Sequence, residues 1–297
     1  MLPKFAAMFD RKQAAAACPL CRGEGGLYAD VERVPYFTCT TCDFIFADPA
    51  MLARIDAGEA VREYDGDYWQ AELASARQRA WGSSLARAAE ALLYCSIPVR
   101  NFLDVGTGPG YLLDALSTYL PSHRDRFHGV EKFPPAAPDR STHPNYIASD
   151  LADVDGTFEC GTCIEVIEHL TPAMARELAA AMAKVSAPGA LYVFNTGLTD
   201  YVRSEDPGYL DPWRRGHITA WSVRAATRVF TPAGFTVHPI GGKTWAFAIE
   251  RLSAQSARPG PLRDRIWFAP EDNRRLLTDP DMGEVIYLLG LESARAY

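Results

Sequence analysis

Apolar residues recur at helical spacing through Leu73, Ala76, Ala80, Leu85, Ala88 and Leu92, which predicts one helix over residues 75–95 that stops near Pro98. From residue 101 the pattern changes. Residues 101–105 form a short apolar run that reads as a buried strand, 111–119 return to helical spacing, and 127–131 are again strand-like. The alternation continues with strands at 145–149, 158–165 and 190–195 and helices at 172–186 and 221–231. Strands joined through helices run parallel, because the helix is the crossover. Residues 100–252 are therefore expected to be an α/β domain around a mainly parallel sheet. After the last helix, Ala233-Gly234-Phe235 opens a strand over 235–240, and Gly241-Gly242 leads into another over 244–252, which is hairpin spacing and predicts an antiparallel last strand.

The two ends read differently. Residues 1–62 hold four Cys, short β-type segments (Tyr36-Phe37-Thr38 and Phe44-Ile45-Phe46) and turn residues, too little apolar material for an unaided core. Residues 63–99 are a helical lead-in. Residues 253–297 form a C-terminal extension, with a turn at 258–261 and a helix over 282–291 expected to pack Val285, Ile286 and Leu289 on the body.

Composition narrows the class. With 297 residues, 48% hydrophobic and 23% charged, 22 Gly and 21 Pro, the chain has an ordinary globular balance, which excludes disorder and collagen-like folds. Thirty Lys+Arg against 37 Asp+Glu give a net charge of −7, which disfavours bulk binding to nucleic acid or anionic membrane. No apolar stretch approaches the ~20 residues of a membrane helix. Asp10, Arg11 and Lys12 interrupt the apolar approach from Leu2 to Phe9, so no signal peptide is read and a cytoplasmic location is expected.

Cys18-Pro-Leu-Cys21 and Cys39-Thr-Thr-Cys42, seventeen residues apart, have the spacing of two knuckles that enclose a tetrahedral Zn²⁺. Four thiolates leave no open position, so this zinc is expected to be structural. The module carries no basic excess, which favours a scaffolding or lid role over nucleic-acid contact. Cys160 and Cys163 lie inside a predicted strand at an odd offset, which points them to opposite faces; these two and Cys95 read as core.

Asp104-Val-Gly106-Thr107-Gly108-Pro-Gly110 follows a strand and opens a helix, so its glycines permit a tight turn and close approach of a ligand to the helix N-terminus. Glu131 ends the next strand where a ribose-diol acceptor belongs. An acid before the loop repels a pyrophosphate and suits the amino-acid end of a cationic sulfonium cofactor.

In these residues the chain resembles the class I S-adenosylmethionine-dependent methyltransferases. Asp104, Gly106, Gly108 and Gly110 look like their first motif, Glu131 like the ribose-binding acid, and Asp150 like the residue that meets the adenine amino group. Residues 163–170, 187–190 and 233–235 fall in that family's order, so the resemblance covers residues 100–252. It implies a Rossmann-like, doubly wound, seven-stranded sheet, mainly parallel with the last strand antiparallel, and S-adenosylmethionine as cofactor, with Thr107 and Glu165 also in the cofactor cleft. The Cys module followed by Tyr64-Asp-Gly-Asp-Tyr-Trp69 resembles a bacterial subset associated with sugar or natural-product modification. Departures are Lys132 to Pro144, with four Pro and too short for the usual helix, and Arg22 and Asp43 where knuckles commonly have Gly.

Glu165, Glu168 and His169 fall at the carboxyl end of the fourth strand and His217 in the loop after the fifth, the side of an α/β sheet where ligands bind. Two carboxylates and two imidazoles can hold Mg²⁺ or Mn²⁺. Glu-x-x-Glu-His, with a later His217 followed by Trp221, resembles the metal-dependent small-RNA 3′-terminal 2′-O-methyltransferases, without their fuller basic-aromatic stretch. The competing reading has the acids lining the cofactor cleft and His217, or else His169 or Glu168, serving as general base. The expected function is thus methyl transfer from S-adenosylmethionine to an oxygen of a small polar acceptor. The alternatives are metal-dependent 2′-O-methylation of RNA 3′ ends and an inactive methyltransferase-like scaffold.

Overall fold

The computed structural model describes residues 15–60, 65–253 and 261–295. The chain begins with four short antiparallel strands, β1 (Ala15–Ala17), β2 (Glu24–Val31), β3 (Val34–Cys39) and β4 (Ile45–Ala47), and the helix α1 (Pro49–Asp56), whose Asp48 side chain caps the Ala50 N–H. Tyr64 and the 62/63 boundary lie outside the described residues.

The single helix expected over 75–95 is two: α2 (Gly66–Ala80), capped by Asp65 on the Tyr68 N–H, and α3 (Ser83–Tyr94). The break falls at Trp81-Gly82, where the apolar spacing slips to five residues between Ala80 and Leu85 and Gly82 adopts non-helical angles. Ten of the twelve α3 residues are buried, Arg87 and Glu90 among them, because α3 lies between the main sheet and the C-terminal extension.

The main sheet follows. Strand β5 (Phe102–Val105) leads to α4 (Tyr111–Tyr119), β6 (Phe127–Glu131) to β7 (Tyr146–Ala148), β8 (Phe158–Ile164) to α5 (Pro172–Val185) and β9 (Ser186–Asn195). Then come α6 (Thr199–Ser204), the two-residue β10 (Thr219–Ala220), α7 (Val223–Phe230), β11 (Phe235–Pro239) and β12 (Ala246–Arg251). The seven strands lie in the order β11-β12-β9-β8-β5-β6-β7, parallel from β9 to β7, with β12 antiparallel to both of its neighbours. This is the doubly wound, Rossmann-like architecture expected. Cys160 packs in the layer with α3 and Cys163 in the layer with α5 and α7, as the strand alternation requires.

β10 does not join that sheet. It pairs antiparallel with β4, Thr219 opposite Phe46 and Ala220 opposite Ile45, giving the five-stranded sheet β1-β2-β3-β4-β10. The Cys-bearing ribbon and the loop after β9 therefore share one hydrogen-bonded sheet.

The extension holds α8 (Glu271–Leu277) and α9 (Gly283–Arg295). Asn273, fully buried, accepts from the Val99 N–H at 2.8 Å and donates to the Leu92 and Ile97 carbonyls, ending α3. Val285 is buried and Leu289 packs on the body, but Ile286 is 40% exposed: one residue on from Val285 turns it ~100° away from α3, correcting the expected packing. The expected turn at 258–261 lies, apart from Pro261, outside the described residues. No described helix is long and apolar enough to cross a membrane.

Candidate active site

The glycine-rich turn is built by its backbone. Gly106, Gly108 and Gly110 all have positive φ (71°, 58° and 80°), and a Cβ on Gly106 would meet Val166 Cγ2 at 2.4 Å. The Gly106 and Thr107 N–H groups both donate to the Val130 carbonyl, folding the turn over the end of β6. Asp104 is buried at its base and accepts from Thr162 Oγ1 at 2.7 Å; burial pushes its carboxyl up to about 6. One Glu131 oxygen accepts the Gly108 N–H and the other the Phe133 N–H, each at 2.8 Å, so this carboxylate fixes the turn against the end of β6. Burial raises Glu131 as well. Asp150 accepts from the Ala152 N–H and pairs with Lys132 Nζ at 2.6 Å, and this lysine holds its carboxyl below the usual range.

A second group of acids and imidazoles comes from the turn after β8 and the loop after β9. Glu165 follows β8 at φ 54°, a left-handed conformation uncommon for a side-chain-bearing residue, and accepts from Asn195 Nδ2 at 3.0 Å. Glu168 is fully buried; its oxygens accept from Tyr209 Oη (3.1 Å) and Thr196 Oγ1 (3.0 Å). Burial first, and the adjoining Glu168 second, push Glu165 up to about 8. His217 Nδ1 lies 2.8 Å from the Tyr209 carbonyl and His169 Nδ1 3.1 Å from the Gly216 carbonyl. A carbonyl only accepts, so each Nδ1 carries its hydrogen, and in the neutral His217 ring Nε2 is the nitrogen able to accept. The two rings stand edge to face at 5.0 Å. Burial, with His169 alongside, draws His217 down to about 3, so it is neutral across the physiological range.

Both groups line one cavity of about 1110 Å³. Its wall includes Asp104, Gly106–Gly108, Glu131, Asp150, Glu165, His169 and His217, whereas Glu168 does not line it. Ligand atoms of Glu168, His169 and His217 lie within 4.8 Å of one another, whereas Glu165 stands outside that group. The four-ligand set expected from the sequence is thus three residues with Glu165 beside them.

In the ribbon, the sulfur atoms of Cys18, Cys21, Cys39 and Cys42 lie within 4.8 Å of one another, Cys18 to Cys42 at 3.8 Å and Cys21 to Cys39 at 3.4 Å. Tetrahedral Zn–S bonds of ~2.3 Å place sulfurs ~3.8 Å apart, so the cage fits Zn²⁺. Arg22 and Asp43, the residues standing in for glycine, adopt the positive φ (65° and 56°) that the knuckles need. The Cys42 thiol hydrogen-bonded to Cys18 brings Cys18 down to about 5, while the same bond raises Cys42 and burial raises Cys21.

Several partners escape a reading of the sequence. Tyr209 and Thr196 reach Glu168 from loops, and Asn195 reaches Glu165 from the end of β9, none of them with a motif of its own. Helix α2 supplies a cavity wall through Trp69, Glu72 and Arg79; the sequence marked Trp69 in a motif and Arg79 only as part of a lead-in helix. Tyr36 donates to the His217 carbonyl at 2.8 Å from 181 positions away.

A family model described as a methyltransferase domain matches residues 73–240. No protein of curated function matches the chain. Many solved structures do. They include the sugar N-methyltransferase KedS8 of Streptoalloteichus sp ATCC 53650 (16% identity over 66% of this chain and 96% of that one, TM-score 0.48). Streptomyces venezuelae DesVI has 15% identity over 65% and 100%, TM-score 0.45. Human N-acetylserotonin methyltransferase has 14% identity over 69% and 68%, TM-score 0.42.

Proposed function

Since the chain belongs to the methyltransferase-domain family, matched over residues 73–240 of its 297, we propose that it transfers a methyl group from S-adenosylmethionine to an oxygen of a small polar acceptor, of sugar or natural-product type. The observation that carries this reading is the single cavity lined by the glycine turn and its acids together with His169 and the neutral His217, whose Nδ1 faces the Tyr209 carbonyl. A cavity of about 1110 Å³ is at the upper end for small-molecule sites and has room for a nucleoside cofactor with a compact acceptor.

When bound, the cofactor supplies an electrophilic methyl on a sulfonium, which becomes a neutral thioether once the methyl has left. Glu131 offers its remaining lone pairs to a ribose diol, and the buried Asp104 provides negative charge near the amino-acid end. His217 Nε2 takes the acceptor's hydroxyl proton as the C–O bond forms, and Tyr209, through its carbonyl, holds the ring in the tautomer that can accept. A base held this low keeps the proton only while the reaction drives it, and Glu168, within 4.8 Å, compensates the imidazolium charge.

One observation favours a second reading. Glu168 lies within 4.8 Å of two imidazoles with Glu165 beside it, a donor set that suits a divalent cation, which would hold a diol acceptor such as a ribose end. A single assay separates the two readings: release of S-adenosylhomocysteine from S-adenosylmethionine with a panel of hydroxyl acceptors, including sugar nucleotides and RNA 3′ ends, with and without Mn²⁺. The first reading predicts release without Mn²⁺ that falls by ~10² or more in His217→Asn while cofactor affinity holds. Release only with Mn²⁺ and RNA would establish the second reading. No release with any acceptor, cofactor being bound, would contradict both.

A further inference from the structure

The ribbon reaches the cavity through specific bonds. Tyr36 Oη donates to the backbone carbonyl of His217 at 2.8 Å, and the Ala47 N–H donates to the carbonyl of Ile218 at 2.9 Å. Thr219 and Ala220 then pair with Phe46 and Ile45, and Phe44 packs on Trp221 at 4.6 Å between ring centres. On its other side this segment is bonded to the turn that carries Glu168 and His169: the Ile218 N–H donates to the Glu168 carbonyl at 3.0 Å and Trp221 Nε1 to the Ile167 carbonyl at 2.9 Å. Residues 217–221 are therefore held between the ribbon on one side and the Glu-His turn on the other.

The metal cage is continuous with that grip. Tyr36 is on the strand that ends at Cys39, and Cys42 accepts Ser222 Oγ on its carbonyl at 2.7 Å, three residues before the β4 ladder begins. Asp43 accepts Thr199 Oγ1 at 2.8 Å and pairs with Arg203 at 2.6 Å. All of these bonds land on residues 199–222. The glycine turn, by contrast, is fixed by Val130 and Glu131, which belong to the main sheet. The His217 segment and the glycine turn thus have different supports.

We propose that Tyr36 and β4 are the positioning device for His217, so that zinc on the four cysteines governs assembly of the acceptor end of the cavity and leaves the cofactor end standing. Tyr36 is a positioning residue: it touches the His217 backbone, and the ring's orientation follows because Nδ1 is bonded to the Tyr209 carbonyl across the same loop. The ribbon is then a working wall of the site, and loss or oxidation of the cage thiols disables acceptor activation without expelling the cofactor. The consequence for turnover rests on His217 acting as proposed above; its placement does not.

The test uses the full chain, zinc-loaded and ¹⁵N-labelled at histidine, without other divalent ions. Imidazole ¹H–¹⁵N spectra report the His217 tautomer, the His128 signal on β6 is the fold control, and calorimetry with S-adenosylhomocysteine reads the cofactor end. In Tyr36→Phe, with zinc content unchanged, the Nδ1–H pattern of His217 should give way to an averaged one, His128 should stay, and cofactor-product affinity should hold within about twofold. Removing zinc from the wild type should give the same change, and restoring zinc should reverse it. A His217 signal unmoved by either treatment, or by Tyr36→Phe alone, overturns the proposal, as does a change that takes His128 with it. If the wild type fails to bind S-adenosylhomocysteine, the proposed function falls, and the histidine spectra still decide this inference.

Discussion

Glu165 and Glu168 are two adjoining acids in the interior, and their energetics follow from burial. Glu165 is pushed up to about 8, so the folded protein keeps a proton that the unfolded chain releases near 4.5. Its contribution is full below about 4.5 and is lost as pH rises through about 8, at roughly 1.4 kcal/mol per unit. Glu165→Gln, which keeps the shape and cannot ionise, should leave stability near the wild-type value at pH 5 and raise it by on the order of 1–3 kcal/mol at pH 8.5. Urea unfolding at both values, without added divalent ions, checks this, and parallel wild-type and variant curves would refute it. At this scale the chemistry was legible where type and spacing are local: the three glycines with Asp104 and Glu131, the four cysteines, and the Glu-x-x-Glu-His run. Tyr209, Thr196 and Tyr36 were not, because each arrives by tertiary folding and nothing in its own neighbourhood marks it.

Among the elements, α3 departs furthest from its sequence reading. Its apolar spacing was clear, but nothing in that spacing showed that the extension would cover it. Burial on all sides brings Arg87 and Glu90 inside, where Glu90 pairs with Arg87 Nε at 3.1 Å and Lys243 Nζ at 3.3 Å, joining α3 to the β11–β12 connection. Glu90→Ala strips that carboxylate from two interior cations, which should cost about 3–5 kcal/mol. Thermal melting should show a large drop for Glu90→Ala and a smaller one for Glu90→Gln, which can still accept hydrogen bonds; equal melting of wild type and Glu90→Ala would rule out a structural role for the trio. The break at Trp81-Gly82 was missed because a single glycine in an apolar pattern is weak punctuation. The parallel strands were legible because buried on both faces they read as continuous apolar runs.

For the whole molecule, the parallel pairing and the antiparallel β12 follow from the alternation of elements and the hairpin spacing along the chain, whereas the strand order and the union of ribbon and body do not. β10 has two residues, and its partner lies more than 170 positions earlier, so no periodicity announces the pairing. The same holds for the cavity, one wall of which is α2, read from the sequence only as a lead-in. These long-range joins turn the Cys-bearing ribbon, a helix and the main sheet into one enclosure. The central claim is that the glycine-turn end holds an S-adenosyl cofactor through Glu131. The most direct measurement is a calorimetric titration of S-adenosylhomocysteine into the wild type and into Glu131→Ala. Saturable binding to the wild type, weakened by a factor of ~10 or more in the variant as the loss of a charge-assisted hydrogen bond requires, is the result predicted. No saturable binding to the wild type, or equal affinity for both proteins, would contradict it.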